Sequence, residues 1–106
     1  MRTVLTLIII AGSLLAEDWP EWRGRGRTGV WNETGLVERF PETGPPVSWR
    51  IPIRGGYTGP SVADGRVFVT DYAGGIERAL AVDERTGKIL WQAEWPANYR
   101  GLDYPP

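Results

Sequence analysis

The chain has 106 residues, a formal net charge of −1 and a pI near 5.4, so its size allows one small domain and its charge gives no general attraction to nucleic acid or to an anionic membrane. Cys and His are both absent, which removes disulfides, thiolate nucleophiles, imidazole bases and Cys/His zinc sites. Apolar residues, at 42%, suffice for a core, and 14 Gly and 9 Pro scattered between short apolar runs favour turns and short strands over long helices.

Residues 1–16 have the layout of a secretory signal peptide. Arg2 supplies the positive start, Val4 to Leu15 the apolar stretch, and Ala16 a small residue before the abruptly polar Glu17-Asp18. The apolar run is about twelve residues long, whereas a helix crossing a bilayer core needs roughly 20. Cleavage after Ala16 is therefore expected over retention as an anchor; Leu14 stands where a small residue is preferred, which leaves a cut near Ser13 as the alternative. With no Cys behind the apolar run, lipid anchoring at this end is not expected. The protein is expected to be exported, periplasmic or extracellular, with no stable membrane insertion after cleavage.

Residues 17–46 read as an irregular lead-in. Trp19-Pro20-Glu21-Trp22-Arg23-Gly24-Arg25-Gly26-Arg27 has neither helix nor strand period. Asn32 to Phe40 is compatible with a short helical turn ended by Pro41, and Glu42-Thr43-Gly44-Pro45-Pro46 breaks any element. From residue 47 the pattern becomes strand-like. Val47-Ser48-Trp49-Arg50-Ile51-Pro52-Ile53 alternates apolar and polar at first, as a half-buried strand does, with Pro52 marking an edge strand or its end.

Ser61-Val62-Ala63 and Arg66-Val67-Phe68-Val69-Thr70 flank Asp64-Gly65, a strong hairpin signal because a type I′ turn needs positive φ at both central positions. Asp71-Tyr72-Ala73-Gly74-Gly75 reads as a loop, Arg78 to Asp83 as a strand, Glu84-Arg85-Thr86-Gly87 as a turn, and Lys88 to Trp95, closed by Pro96, as the last strand. Residues 97–106 form a turn-rich tail. The fold class predicted is all-β: an antiparallel meander of up to four short strands within residues 47–96, of the kind that forms one propeller blade.

The segment Ala81-Val82-Asp83-Glu84-Arg85-Thr86-Gly87-Lys88-Ile89-Leu90-Trp91 resembles the repeat of the pyrroloquinoline-quinone-type (PQQ-like) β-propellers, in which Ala, any residue, Asp, three residues often ending in Thr, Gly, three residues and Trp follow in order. Trp19-Pro20 with Trp22-Arg23-Gly24, and Gly44-Pro45-Pro46 before Trp49-Arg50, resemble the opening of exported members of that family, and Gly101-Leu102-Asp103-Tyr104-Pro105 resembles a linker into a next blade. The resemblance implies one blade plus part of a second, with Trp49 closing the incomplete unit. It implies a blade-docking role for Ala81, Asp83, Gly87 and Trp91. The physical case for the spacing is that Asp83 accepts from the amides of the turn it opens, Gly87 supplies the left-handed residue, and small Ala81 leaves room for a neighbour's indole. A propeller takes about four to eight blades, so further blades or a protein partner are expected, and the chain reads as the opening piece of a longer array.

No residue set amounts to a catalytic site, and no metal-ligand cluster is evident. The family resemblance makes two functions available: an exported structural or partner-binding scaffold, and the N-terminal part of a PQQ-dependent alcohol or sugar dehydrogenase. In such enzymes the quinone lies beside calcium held by Glu, Asn and Asp from several blades, and none of those residues is matched here; Asp71 or Asp83 offers a hard oxygen ligand, against the stronger expectation that both are turn residues. Arg23, Arg25 and Arg27 beside Trp19, Trp22 and Trp31 suit single-stranded nucleic acid in principle, but one short run on an acidic exported chain favours a solvated or partner-facing loop. Asn32-Glu33-Thr34 is a glycosylation sequon by pattern, Gly24-Arg25-Gly26 lacks the strand and helix of a dinucleotide loop, and Trp95 and Tyr99 are expected to pack between strands.

Overall fold

Three turns cut the second half of the chain into four strands: β1, Ser61–Ala63; β2, Arg66–Ala73; β3, Ile76–Asp83; and β4, Ile89–Pro96. In the computed structural model, which describes residues 16–100, they form one antiparallel meander in the order β1-β2-β3-β4. Residues 1–15, which hold most of the expected signal peptide 1–16, and residues 101–106, the end of the expected linker 97–106, lie outside the described residues.

The first turn is the expected hairpin. Asp64 (φ 51°) and Gly65 (φ 71°) both take left-handed backbone, which a type I′ turn requires. An added Cβ at Gly65 would meet nothing within 4 Å, so Gly65→Ala carries a backbone penalty alone. We expect it to cost about 1 kcal/mol, read from the urea midpoint at unchanged slope.

The second turn is tighter than the sequence reading proposed. Asp71-Tyr72-Ala73 is not loop but the end of β2, and only Gly74 (φ 58°) and Gly75 (φ 81°) turn. The two glycines satisfy the same I′ requirement, so β2 and β3 pair along their whole eight-residue lengths, from Arg66↔Asp83 to Ala73↔Ile76.

The core centres on β3, where Leu80, Ala81 and Val82 are all buried. Consecutive strand residues point to opposite faces, so this stretch is covered on both sides of the sheet. Phe68, Ala81 and Trp91 are cross-strand partners on one face; Val62, Val67, Val82 and Ile89 are partners on the other. A bulge between Ala81 and Val82 places Leu90 without a partner and keeps Trp91 opposite Ala81. The rings of Phe68 and Trp91 meet over Ala81 at a centroid distance of 6.3 Å. The room above Ala81, expected to receive a neighbour's indole, is thus flanked by the sheet's own rings.

Residues 47–53 are not a strand, contrary to their alternation. Pro46 and Pro52 remove ladder donors, and Val47 and Ile53 are exposed. The chain instead lies against the sheet by side chains until Gly55, whose carbonyl accepts from the Tyr72 amide at 2.8 Å. This occupies the part of β2 that the short β1 leaves open, and Thr58 and Thr70 share a hydroxyl hydrogen bond of 2.7 Å beside it. The helical turn expected over residues 32–40 is also absent; Gly35 is left-handed (φ 71°) and the Asn32 amide is taken by a side chain. In the lead-in, Arg25–Arg27 forms a single 3-10 turn broken by Gly26 at φ 67°. Trp19 pairs in both directions with Val62, at 2.9 and 2.8 Å, which ties the lead-in to β1.

Candidate functional site

The Asp83–Gly87 turn is built as its spacing suggests. Asp83 Oδ1 accepts from the Thr86 amide at 2.8 Å and from the Thr86 hydroxyl at 2.7 Å. These two bonds, the hydroxyl first, hold the Asp83 carboxyl below its ordinary pKa. The Gly87 amide closes onto the Asp83 carbonyl at 2.9 Å, and Gly87 is left-handed at φ 73°. The chain then returns through the Lys88 carbonyl, which accepts from the Asp83 amide at 2.8 Å.

What sequence reasoning missed is the occupant of this turn. The indole of Trp49 lies close against Gly87: a Cβ added there would stand 2.8 Å from two ring carbons and 3.0 Å from the Trp49 Cβ. The Trp49 Nε1–H donates to the Glu84 carbonyl at 2.7 Å. Glycine at 87 thus serves two needs, left-handed backbone and a bare surface for the ring. The signal was present in the pattern Trp49-x-Ile51 ahead of the turn, but nothing in it specified Gly87 as the receiving surface.

Trp91 occupies the opposite situation. It lies on β4, the outer strand of the sheet, and is 48% exposed. Ile89, Leu90 and Trp95 on the same strand are also exposed. Among the described residues β4 pairs with β3 alone, and an outer strand with this much apolar surface is unusual, because unpaired N–H and C=O groups invite pairing.

A second arrangement crosses β2 and β3. Asp71 and Arg78 are direct partners in register, and Asp71 is 1% exposed. Arg78 grips the carboxylate with both arms, Nε to Oδ1 at 3.0 Å and Nη2 to Oδ2 at 2.5 Å, and the Arg54 amide donates to Oδ2 at 2.7 Å. The Arg78 bonds outweigh burial and hold the Asp71 carboxyl below its usual range, with the Arg54 amide adding to this; the same bonds raise Arg78. Arg54 also pairs with Glu94 of β4 at 3.2 Å, so the cluster links the segment ahead of β1 to β2, β3 and β4. Asp71 is therefore not a turn residue, as expected, but a buried strand residue, whereas Asp83 is the turn residue proposed.

Asp71 does not suit a calcium ion. The Asp71 oxygens are committed to Arg78 and the Arg54 amide, and a guanidinium beside them repels a cation. Among the described residues no group of three or more His, Cys, Asp or Glu is placed to hold a metal.

The remaining sequence candidates fall in separate pairings, with Trp19 and Trp31 on one cavity. Arg27 pairs with Glu21 at 3.1 Å, and Arg23 lies 5.8 Å over the Trp22 ring. Tyr99 stands edge-on to Tyr72 at 4.9 Å and its hydroxyl donates to Glu77, so it packs against the sheet as expected. An open, largely apolar cavity of about 560 Å³ is lined by Ala16, Glu17, Trp19, Trp31, Val62 and Glu84. Among the described residues no helix is long and apolar enough to cross a membrane.

Comparison with known protein families, with curated proteins and with solved structures finds no match to this chain.

Proposed function

We propose that the chain is a blade-forming segment of an exported PQQ-like β-propeller that acts as a scaffold, docking further blades or a protein partner through Trp91 and the exposed strand β4. The observation that carries this reading is the seating of Trp49 on the Asp83–Gly87 turn. Trp49 precedes Trp91 by 42 residues, close to the length of one propeller blade. Trp49 rests on a turn downstream of it, and on the propeller reading the same relation carried one unit forward gives Trp91 its role. The open edge and exposed indole of β4 support the same conclusion, since a repeat buries its outer face only against a neighbour.

The reading is tested by a tandem chain in which residues 50–91 are repeated directly after Trp91, so that Trp91 stands ahead of the second turn at the spacing of Trp49. The expected result is a blue-shifted tryptophan emission and a higher unfolding midpoint than the single chain. Trp91→Ala should cost the tandem about as much as Trp49→Ala costs the single chain, about 2–4 kcal/mol, and cost the single chain far less. Equal, small effects of Trp91→Ala in both chains would remove the docking role. Adding PQQ with calcium should leave the emission unchanged; saturable quenching would favour the dehydrogenase alternative.

A further inference from the structure

The lead-in is clasped at its start by two reciprocal hydrogen bonds. The Glu17 amide nitrogen donates to Glu33 Oε2 at 2.6 Å, and the Asn32 amide donates to Glu17 Oε2 at 2.8 Å. The Thr34 amide adds a bond to Glu33 Oε1 at 3.1 Å, so the Glu33 carboxylate is fixed with one oxygen aimed at the Glu17 nitrogen. Residue 17 is also held from its C-terminal side, two residues on, by the Trp19–Val62 pairing. Ala16, the small residue at which the apolar run ends, is exposed.

We infer that the Ala16–Glu17 bond is a processing site and that Glu33 is the built receptor for the α-ammonium group that processing creates. This rests on the reading of residues 1–16 as a signal peptide. The step is a hydrolysis by an endopeptidase: water adds across the Ala16–Glu17 peptide bond, the carbon takes the hydroxyl to leave the Ala16 carboxylate, and the Glu17 nitrogen leaves as an amine that is protonated near neutral pH.

The nitrogen that receives the charge already sits in contact with a carboxylate, so the backbone needs no movement to form the pair. An amide gives Glu33 one neutral donor. An α-ammonium gives it a charged donor at the same place, and charge-assisted bonds are roughly twice as strong as neutral ones. Among the described residues the charged groups bonded at the new terminus are acidic, Glu33 and the carboxylate of Glu17 itself, and Glu84 lines the same cavity as Glu17. Among the described residues none of the three takes part in an ion pair. The cluster is therefore short of one positive charge in the uncut chain and gains it on cleavage. The fold of the lead-in is completed by processing.

The test uses the full chain, expressed with its leader in an exporting bacterial host. Mass spectrometry of the recovered protein should show Glu17 as the first residue. Nuclear magnetic resonance titration of its α-amine should show proton binding about tenfold tighter than for an ordinary chain terminus, whose pKa is about 7.7–8.0. Selective acetylation of that amine should lower the unfolding temperature of the wild type and leave that of Glu33→Gln almost unchanged. A terminus at Glu17 with an ordinary α-amine, or equal acetylation effects in both proteins, overturns the receptor role while leaving export intact. A terminus near residue 13 overturns the site. Recovery of only the uncut chain overturns both this inference and the export reading beneath it. Where Glu33→Gln fails to fold, the titration of the wild-type amine decides alone.

Discussion

Arg78→Met is expected to destabilise the chain at pH 7 by about 3–5 kcal/mol, the range for removing one partner of a buried ion pair. Asp71 is shut away from solvent between strands and Arg78 supplies its charged partner directly across the ladder. Without the guanidinium the carboxylate keeps a single strong donor, the Arg54 amide. A domain of this size has a total stability of about 5–15 kcal/mol, so the loss is a large part of the whole. The pH dependence gives the sharper signature. In the wild type the folded Asp71 pKa lies below its unfolded value, so its stabilising contribution is fully present above about pH 4. That contribution fades as pH falls through the folded value. In Arg78→Met, burial dominates and the folded pKa rises above the unfolded one. The variant's penalty is then full at neutral pH and shrinks on acidification, as the carboxyl becomes neutral. Urea titrations at pH 4 and pH 7 should therefore show the gap between the two proteins narrowing in acid. The double replacement Asp71→Asn with Arg78→Met, which buries no charge, should recover much of the loss at pH 7. A gap that stays constant with pH would mean that Arg78 contributes by packing rather than by its charge.

This pair was within reach of the sequence. Gly74-Gly75 is a two-residue hairpin signal as good as Asp64-Gly65, and a hairpin tightened there sets Asp71 opposite Arg78 by counting alone. Reading Asp71-Tyr72-Ala73 as loop hid the register, because Asp is a common turn residue and Ala carries no strand signal of its own. The turn at Asp83–Gly87 was fully legible, since its requirements are local: an acceptor side chain at the start and left-handed backbone at the end. Residues 47–53 misled for a related reason. Their alternation records which side chains touch the sheet, with Trp49 and Ile51 partly covered and Val47 exposed, but contact by side chains does not require a backbone ladder. The prolines at 46 and 52 carried the better information. The Glu17–Glu33 clasp, like the Trp49 contact with Gly87, depends on where distant segments meet, and no periodicity of either segment encodes that.

Gly87→Ala should be the most damaging of the glycine substitutions in the sheet's turns, at about 2–5 kcal/mol. The cost has two separable parts. Left-handed backbone at φ 73° costs an L-residue about 1–2 kcal/mol. The rest comes from the indole: the new methyl would stand 2.8 Å from the Trp49 ring, closer than nonbonded carbons approach, and the hydrogen bond from Nε1 to the Glu84 carbonyl prevents a simple retreat. Overpacking of this kind costs about 1–3 kcal/mol. Trp49→Ala removes the ring and leaves only the backbone part for Gly87→Ala to disturb. A double-mutant cycle should therefore show a coupling of about 1–3 kcal/mol between positions 49 and 87, with Gly87→Ala costing about as much as Gly65→Ala once the indole is gone. In the Gly87→Ala single variant the tryptophan emission should shift to the red as Trp49 is pushed into water. Purely additive losses would mean that Gly87 is kept for its backbone alone and that the ring tolerates a Cβ beneath it. In that case the seat for an indole would not be a property of this turn, and the proposal that a like turn receives Trp91 would lose its basis.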